Sequence, residues 1–320
     1  MFYQEERTTV EARNIGKLKV SVVGLGCNNF GGRLDQTQTT AVVKAALDAE
    51  INFFDTADIY GNTHSEEFLG KALGSKRDEV IVASKFSIPY EGHTGGASPQ
   101  YIPKAIESSL RRLGTDYIDL YQLHFPDPAV PIEETLGALG VLVAKGMVRE
   151  IGCSNFTPEM MQSAFKASKD KKSPRFVSVQ NHYNLLHREP ELGVLAECKS
   201  LEMAFLPYFP LENGLLTGKY QPGKQAPSDA RLATLSENER KDKLSDERLN
   251  KVVELNNLAN ESGHSVLELS IAWLLSRQEV ASVISGATKP EQVIANVKSA
   301  KWTLDPSILT RIDEISPIGS

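Results

Sequence analysis

Four residues of this chain have the types and the spacing to move a proton: Asp55, Tyr60, Lys85 and His124. Asp55 closes the apolar run 51–54, Lys85 closes 80–84, and His124 closes 118–123. Tyr60 lies five residues past Asp55, in the loop that follows. A polar group ending an apolar strand is costly unless something uses it. The set comprises a phenol, an ammonium, a carboxylate and an imidazole, the equipment of a proton donor and its tuning partners. Taken singly the residues say less. His124 has the ordinary reading of a satisfied interior histidine, and Tyr60 that of a packing aromatic. Lys85 is harder to bury alone, and Asp55 is its natural partner. The four together, at successive strand ends, read as a site.

Positioning these residues requires a regular alternation of short strands and longer helices. Strands are expected at 20–25, 52–55, 80–85, 118–123, 148–153, 177–180, 204–206 and 281–284. Helical spacing runs through 37–49 (with Thr37 or Thr39 as cap), from Ser65, through 99–113, up to Lys145, from Pro158, through 192–200, through 247–262 and 265–276 (together the seventh crossover), after Pro290 and through a last helix at 306–315. Eight strands alternating with eight helices imply a parallel sheet. A closed (β/α)8 TIM barrel, one domain over residues 1–320, is the expected architecture, and chemistry on it gathers at the C-terminal strand ends. Residues 1–19 are expected to form a hairpin over the barrel floor. The polar stretch 220–248 is expected to be a long loop after the seventh strand, and stretches of that length are usually functional.

The 320 residues are 41% hydrophobic and 24% charged, normal for a globular protein, with a formal net charge of −6 that disfavours nucleic acid or an anionic membrane as partner. No apolar run reaches about 18 residues and no N-terminal apolar leader is visible, so a cytoplasmic location is expected. Cys27, Cys153 and Cys198 form no disulfide framework, and the six histidines show no metal-ligand spacing.

Other segments suit a ligand. Gly24–Gly31 invites a dinucleotide-fold reading but has Asn29 where the pattern needs glycine; it fits a tight turn, whose backbone at Gly26 could touch a ligand. Ser154 and Asn155 end the fifth strand and Gln180 the sixth, placed to hydrogen-bond a planar amide; capping of the helix at Pro158 by Asn155 or Thr157 is the plainer alternative. Tyr208 could stack on a flat ring. The run Leu211-Glu-Asn-Gly-Leu-Leu-Thr-Gly-Lys219 offers backbone amides and a lysine suited to a pyrophosphate. Thr288 and Lys289, at a helix start after the eighth strand, suit a single phosphate.

At these residues the chain resembles an aldo-keto reductase. The matching stretches are 52–61 (NFFDTADIYG), 83–85 (ASK), 120–124 (LYQLH), 146–156 (GMVREIGCSNF), 214–219 (GLLTGK) and 286–292 (GATKPEQ), in order along nearly the whole chain. Their form is closest to the bacterial and channel-β-subunit-like branches. The resemblance implies a (β/α)8 barrel binding NADP(H) and a catalytic tetrad of Asp55, Tyr60, Lys85 and His124. It implies amide contacts at Ser154, Asn155 and Gln180, a stacking ring at Tyr208, and a pyrophosphate segment with Leu211, Asn213, Gly214, Leu216, Gly218 and Lys219. Contacts to the adenosine 2′-phosphate and adenine fall on Thr288, Lys289, Gln292 and Asn296, with Arg231 as a further phosphate ligand. The chain departs from the family at Ala295, where an acid is frequent, and at 209–212, where small residues are usual.

The expected reaction is reversible hydride transfer between NADP(H) and a small-molecule aldehyde, ketone or alcohol. Tyr60 exchanges the proton, its pKa lowered by Lys85; Asp55 keeps Lys85 charged, and His124 donates to the carbonyl oxygen. Substrate walls are expected from Asn29, Phe86, Tyr90, His93, Phe125 and Phe209. Two other functions share the same residues: a Schiff-base lyase using Lys85, and a dinucleotide-binding redox sensor or partner-docking barrel with little turnover. Nothing in the sequence encodes an oligomeric state.

Overall fold

The computed structural model describes residues 10–222, 224, 232, 236 and 243–319. An antiparallel hairpin, β1 (Ala12–Ile15) and β2 (Leu18–Ser21), comes first. There follow β3 (Val23–Gly26), α1 (Gln36–Asp48), β4 (Phe53–Asp55), α2 (His64–Leu73), β5 (Ile81–Phe86), α3 (Ile102–Leu113), β6 (Ile118–Leu123), α4 (Ile132–Ala144), β7 (Val148–Ser154), α5 (Pro158–Lys171), β8 (Ser178–His182), α6 (Val194–Ser200), β9 (Ala204–Tyr208), α7 (Asp246–Glu261), α8 (Val266–Leu275), β10 (Val283–Gly286), α9 (Pro290–Ser299) and α10 (Pro306–Ile315). Strands β3 to β10 pair in parallel in the order β10-β3-β4-β5-β6-β7-β8-β9. Phe205 in β9 bridges Val280 just before β10, with Ala281 N–H donating to Phe205 O at 3.0 Å, and so nearly closes the ring. This is the (β/α)8 barrel.

Two hydrophobic layers hold it. The larger lies between the strands and the helices around them. The smaller fills the barrel itself: Phe53, Ala83, Leu120, Leu206, Ala281 and Ile284 meet Ile15, Leu18 and Val20 of the hairpin, which plug the floor. The hairpin thus sits where expected, but its strands occupy 12–21, and residues 1–9 lie outside the described part. The expected first strand at 20–25 fuses two elements. Ser21 alone interrupts its hydrophobic run and does not reveal the break at Val22, whose N–H leaves the barrel ladder to donate to Glu11 O.

Other boundaries differ for local reasons. Asp35, not Thr37 or Thr39, caps α1 in a capping box with Gln38, and Thr39 is buried. Ser65 does not cap α2; its hydroxyl contacts the Thr56 hydroxyl and donates to Cys27 O. Thr157, not Asn155, caps α5 by accepting from Met160 N–H. The helix expected from 99 begins at Ile102, β9 runs on to Tyr208, and the last strand sits two residues later than expected.

Candidate active site

Pairing register builds the floor of the site. Asp55 pairs with Ala83, Lys85 with Gln122, Gln122 with Gly152, and Ser154 with Gln180. Asp55, Lys85 and Gln122 each stand two residues beyond an apolar barrel-filling residue (Phe53, Ala83, Leu120), so a polar layer rests directly on a hydrophobic one. At Gly152 a Cβ would lie 2.5 Å from Ser178 Oγ and 3.2 Å from Gln122 Cγ; the missing side chain makes room for Gln122.

Lys85 is fully buried. Its Nζ donates to Asp55 Oδ2 at 2.6 Å, to Thr56 O at 2.9 Å and to the Tyr60 hydroxyl at 3.4 Å, which satisfies all three ammonium protons. Asp55 Oδ1 accepts from Gln122 Nε2 at 3.2 Å and Gln180 Nε2 at 3.0 Å. Burial alone would depress the Lys85 pKa, but Asp55 and Tyr60 outweigh it and the ammonium ends above its ordinary value. Burial raises the Tyr60 phenol above 10, and Lys85 only moderates the rise. The expectation that Lys85 brings this phenol below its ordinary value is therefore corrected: desolvation wins, and Tyr60 keeps its proton at neutral pH. His124 meets Tyr60 edge-on, ring centroids 5.8 Å apart, and stacks on Phe125 at 5.4 Å. Burial and the nearby Lys85 push its pKa down to about 3, so the imidazole is neutral.

These residues open onto a cavity of about 800 Å³ at the C-terminal ends of the strands. Its lining contains Gly26, Asp55, Tyr60, His124, Ser154, Asn155, Gln180 and Tyr208. It continues over Leu211, Asn213, Gly214 and Lys219 after β9, and Thr288, Lys289, Gln292 and Asn296 after β10. Asn29, Phe125 and Phe209 also line it.

Several expected residues do not. Leu216 is fully buried in the core, and Gly218 packs toward Val266. Phe86 is fully buried and stacks on Tyr121 at 4.8 Å; side chains alternate along a strand, so the residue after inward Lys85 must face outward. Tyr90 and His93 stack on each other at 4.3 Å, away from the lining. Arg231 lies outside the described residues, as does most of the loop expected at 220–248.

The amide-recognition residues form a network of their own. Ser154 Oγ donates to Gln180 O, Asn155 Nδ2 donates to His124 O, and the Tyr208 hydroxyl donates to Asn155 Oδ1. Behind Tyr208, His182 stacks at 5.4 Å and His187 stacks on His182 at 3.8 Å. Glu212, in the segment after β9, joins His182 at 2.8 Å, Asn184 at 2.7 Å and Arg248 at 3.1 Å. Burial pushes the Glu212 carboxyl up, but these partners outweigh it and hold it at about 2.

Sequence comparison agrees with this geometry. The profile of the Aldo/keto reductase family matches residues 22–317. The chain belongs to the aldo/keto reductase family. It is 37% identical over 297 residues to "Aldo-keto reductase YhdN" of Bacillus subtilis, covering 90% of this chain and 87% of that one. It is 33% identical over 317 residues to "Probable voltage-gated potassium channel subunit beta" of Oryza sativa, covering 96% of each. It is 32% identical over 321 residues to "L-glyceraldehyde 3-phosphate reductase" of Escherichia coli, covering 95% and 92%.

Sequence reasoning missed parts of this family member's site. Gln122 gave a signal, being polar in an apolar strand two residues before His124. Ile88 and Arg33 line the cavity without any motif to mark them. Glu212 was visible only as a departure from small residues; its partners come from β8, the chain after it and α7.

Proposed function

We propose that this protein is an NADP(H)-dependent oxidoreductase that reduces aldehyde or ketone carbonyls to alcohols, or runs the reverse. The observation carrying the reading is the Tyr60 hydroxyl, 3.4 Å from the buried Lys85 ammonium and lining the same cavity as two phosphate-suited lysines. Several features fit a dinucleotide. Ser285 Oγ, in the lining, is buried without a protein hydrogen-bond partner, and Lys219 and Lys289 supply positive charge toward one end. Asp55, the one lining carboxylate among the described residues, already has its ammonium.

When bound, the reduced nicotinamide supplies the hydride. Tyr208 offers a flat ring on which a nicotinamide would stack, braced from behind by His182. Tyr60 holds a proton and delivers it to the carbonyl oxygen, while Lys85 stabilises the phenolate that forms. Neutral His124 orients that oxygen by donating one hydrogen bond. Asp55, Gln122 and Gln180 keep the ammonium charged and fixed. A Schiff base at Lys85 needs a neutral amine, and this one has its pKa raised and lies beneath Tyr60, outside the lining. Three free, buried cysteines accord with a reducing cytoplasm.

Tyr60→Phe tests the assignment. It should leave the NADPH Kd within about twofold and lower kcat by about 10²–10⁴-fold for a small aldehyde. Near-native kcat would refute the role. The similarity to the rice channel subunit favours a second reading, a dinucleotide-binding barrel that docks a partner and turns over little; rapid steady-state reduction of small aldehydes by the purified protein would argue against it.

A further inference from the structure

The turn that carries Tyr60 straddles the barrel wall. Tyr60 stands inside, over Lys85. Asp58, two residues earlier, is fully buried on the other side. Around it lie Glu66 on α2, Arg112 on α3, Tyr101 just before α3 and Tyr121 on β6, with Ser84 on β5 hydrogen-bonded to Glu66. Ser84 and Tyr121 pair in register and lie on the opposite face of the strands from Lys85 and Gln122. The Asp58 backbone N–H donates to Lys85 O at 3.2 Å, and Tyr60 N–H donates to Ala57 O at 3.2 Å, so Asp58 is the hinge between the wall and the phenol.

Charge in this pocket is already assigned. Glu66 accepts from Ser84 Oγ and is paired with Arg112 at 2.7 Å; Arg112 also reaches the Tyr90 hydroxyl at 3.4 Å. Both Asp58 carboxyl oxygens lack a hydrogen-bond partner, as do the buried hydroxyls of Tyr101 and Tyr121. The Ile59 N–H lies near the carboxyl without reaching hydrogen-bond geometry. An ionised carboxylate here would be desolvated, unpaired and beside a second anion. A protonated one leaves no uncompensated charge in the pocket, which also holds the two unpartnered phenol hydroxyls. Asp58 is also, after burial, the charge that most affects both phenols.

We propose that Asp58 is a positioning residue held as a neutral acid, fully buried two residues before Tyr60, and that its ionisation unseats the Tyr60 turn. Burial, then Glu66, move the carboxyl up to about 8, with Arg112 and Lys85 opposing. The neighbouring groups that could mimic this titration lie elsewhere: Lys85, Tyr60, Tyr90, Tyr101 and Tyr121 above it and His124 far below. Activity should therefore fade on the alkaline side through loss of one proton outside the barrel wall.

The consequence for rate rests on the Tyr60 assignment above; the ionisation itself does not. The test is the pH profile of kcat/KM for a non-ionising aldehyde with NADPH, on wild type and on Asp58→Asn, which copies the neutral acid. Wild type should lose about tenfold from pH 7 to pH 9, as one group titrating near 8 requires, while Asp58→Asn stays within about twofold. An unchanged alkaline fall in Asp58→Asn overturns the proposal. Independently of turnover, and should the variant not fold, infrared spectra of wild type with ¹³C-carboxyl aspartate decide the protonation state. An isotope-shifted protonated-carboxyl band present at pH 7 and lost by pH 9 supports it, and no such band at pH 7 overturns it. If neither protein reduces any carbonyl, the catalytic reading fails, and the infrared result still stands or falls alone.

Discussion

Lys85 Nζ lies 2.6 Å from Asp55 Oδ2, and both side chains are buried. The pair is anchored further by Gln122 and Gln180 on the other carboxylate oxygen. Removing one member leaves a charge in the barrel with no counter-ion. Asp55→Asn should therefore cost about 3–5 kcal/mol of unfolding free energy and lower kcat/KM by at least about 10²-fold. The double variant Asp55→Asn, Lys85→Met should regain much of the stability and none of the activity. Urea unfolding and steady-state rates on the three proteins separate the two effects.

Lys289 sits at the start of α9, beside Thr288, whose N–H donates to Gln292 Oε1 at 2.7 Å. A lysine at a helix N-terminus is well placed for an additional phosphate. Charge-assisted contacts of this kind are worth about 1.5–3 kcal/mol. Lys289→Ala should weaken NADPH binding by about 10–100-fold and change NADH binding by less than about twofold. Fluorescence titration with the two dinucleotides checks this, and equal losses would remove the role.

Glu212 ties the segment after β9 to β8 and α7 through His182, Asn184 and Arg248. Its carboxyl titrates at about 2 in the fold against an ordinary value of 4.5. The lowered value sets the sign: this contribution to stability is complete above pH 4.5 and is lost as pH falls toward 2. Glu212→Gln should flatten that part of the acid-unfolding curve. It should also raise the dinucleotide Kd by about 5–50-fold, since a buried charge-assisted bond is removed from the cavity's edge, with kcat changed less than about threefold. Unfolding midpoints across pH 2–5 and binding titrations provide both readouts.

The barrel was legible because buried parallel strands leave short β-branched runs and because the chain alternates them with helical spacing. Three of the four candidate residues were legible for a simpler reason: Asp55, Lys85 and His124 interrupt or end apolar runs where burial has to be compensated. What escaped was whatever depends on direction or on distant partners. Phe86 reads as a neighbour of the site in sequence, but strand alternation turns it into the helix layer. Val20 to Leu25 reads as one strand because Ser21, where the hairpin ends, looks like the ordinary polar alternation of a strand. Leu216 sits inside a glycine-rich ligand-like stretch yet packs inward. The pKa of Tyr60 was misjudged because a sequence names the nearby cation but not the depth of burial that outweighs it.

Among the described residues, the hairpin plug and the apolar layer above it close the barrel from below. Phe53, Ala83, Leu120 and Leu206 lie beneath the Lys85 ammonium and the Tyr60 hydroxyl, so the cavity at the strand ends is the approach that the described residues leave to Tyr60. Any dinucleotide lying over these groups is then a stopper as well as a reagent. If Tyr60 is the donor, a molecule lying there would stand between its proton and the bulk solvent.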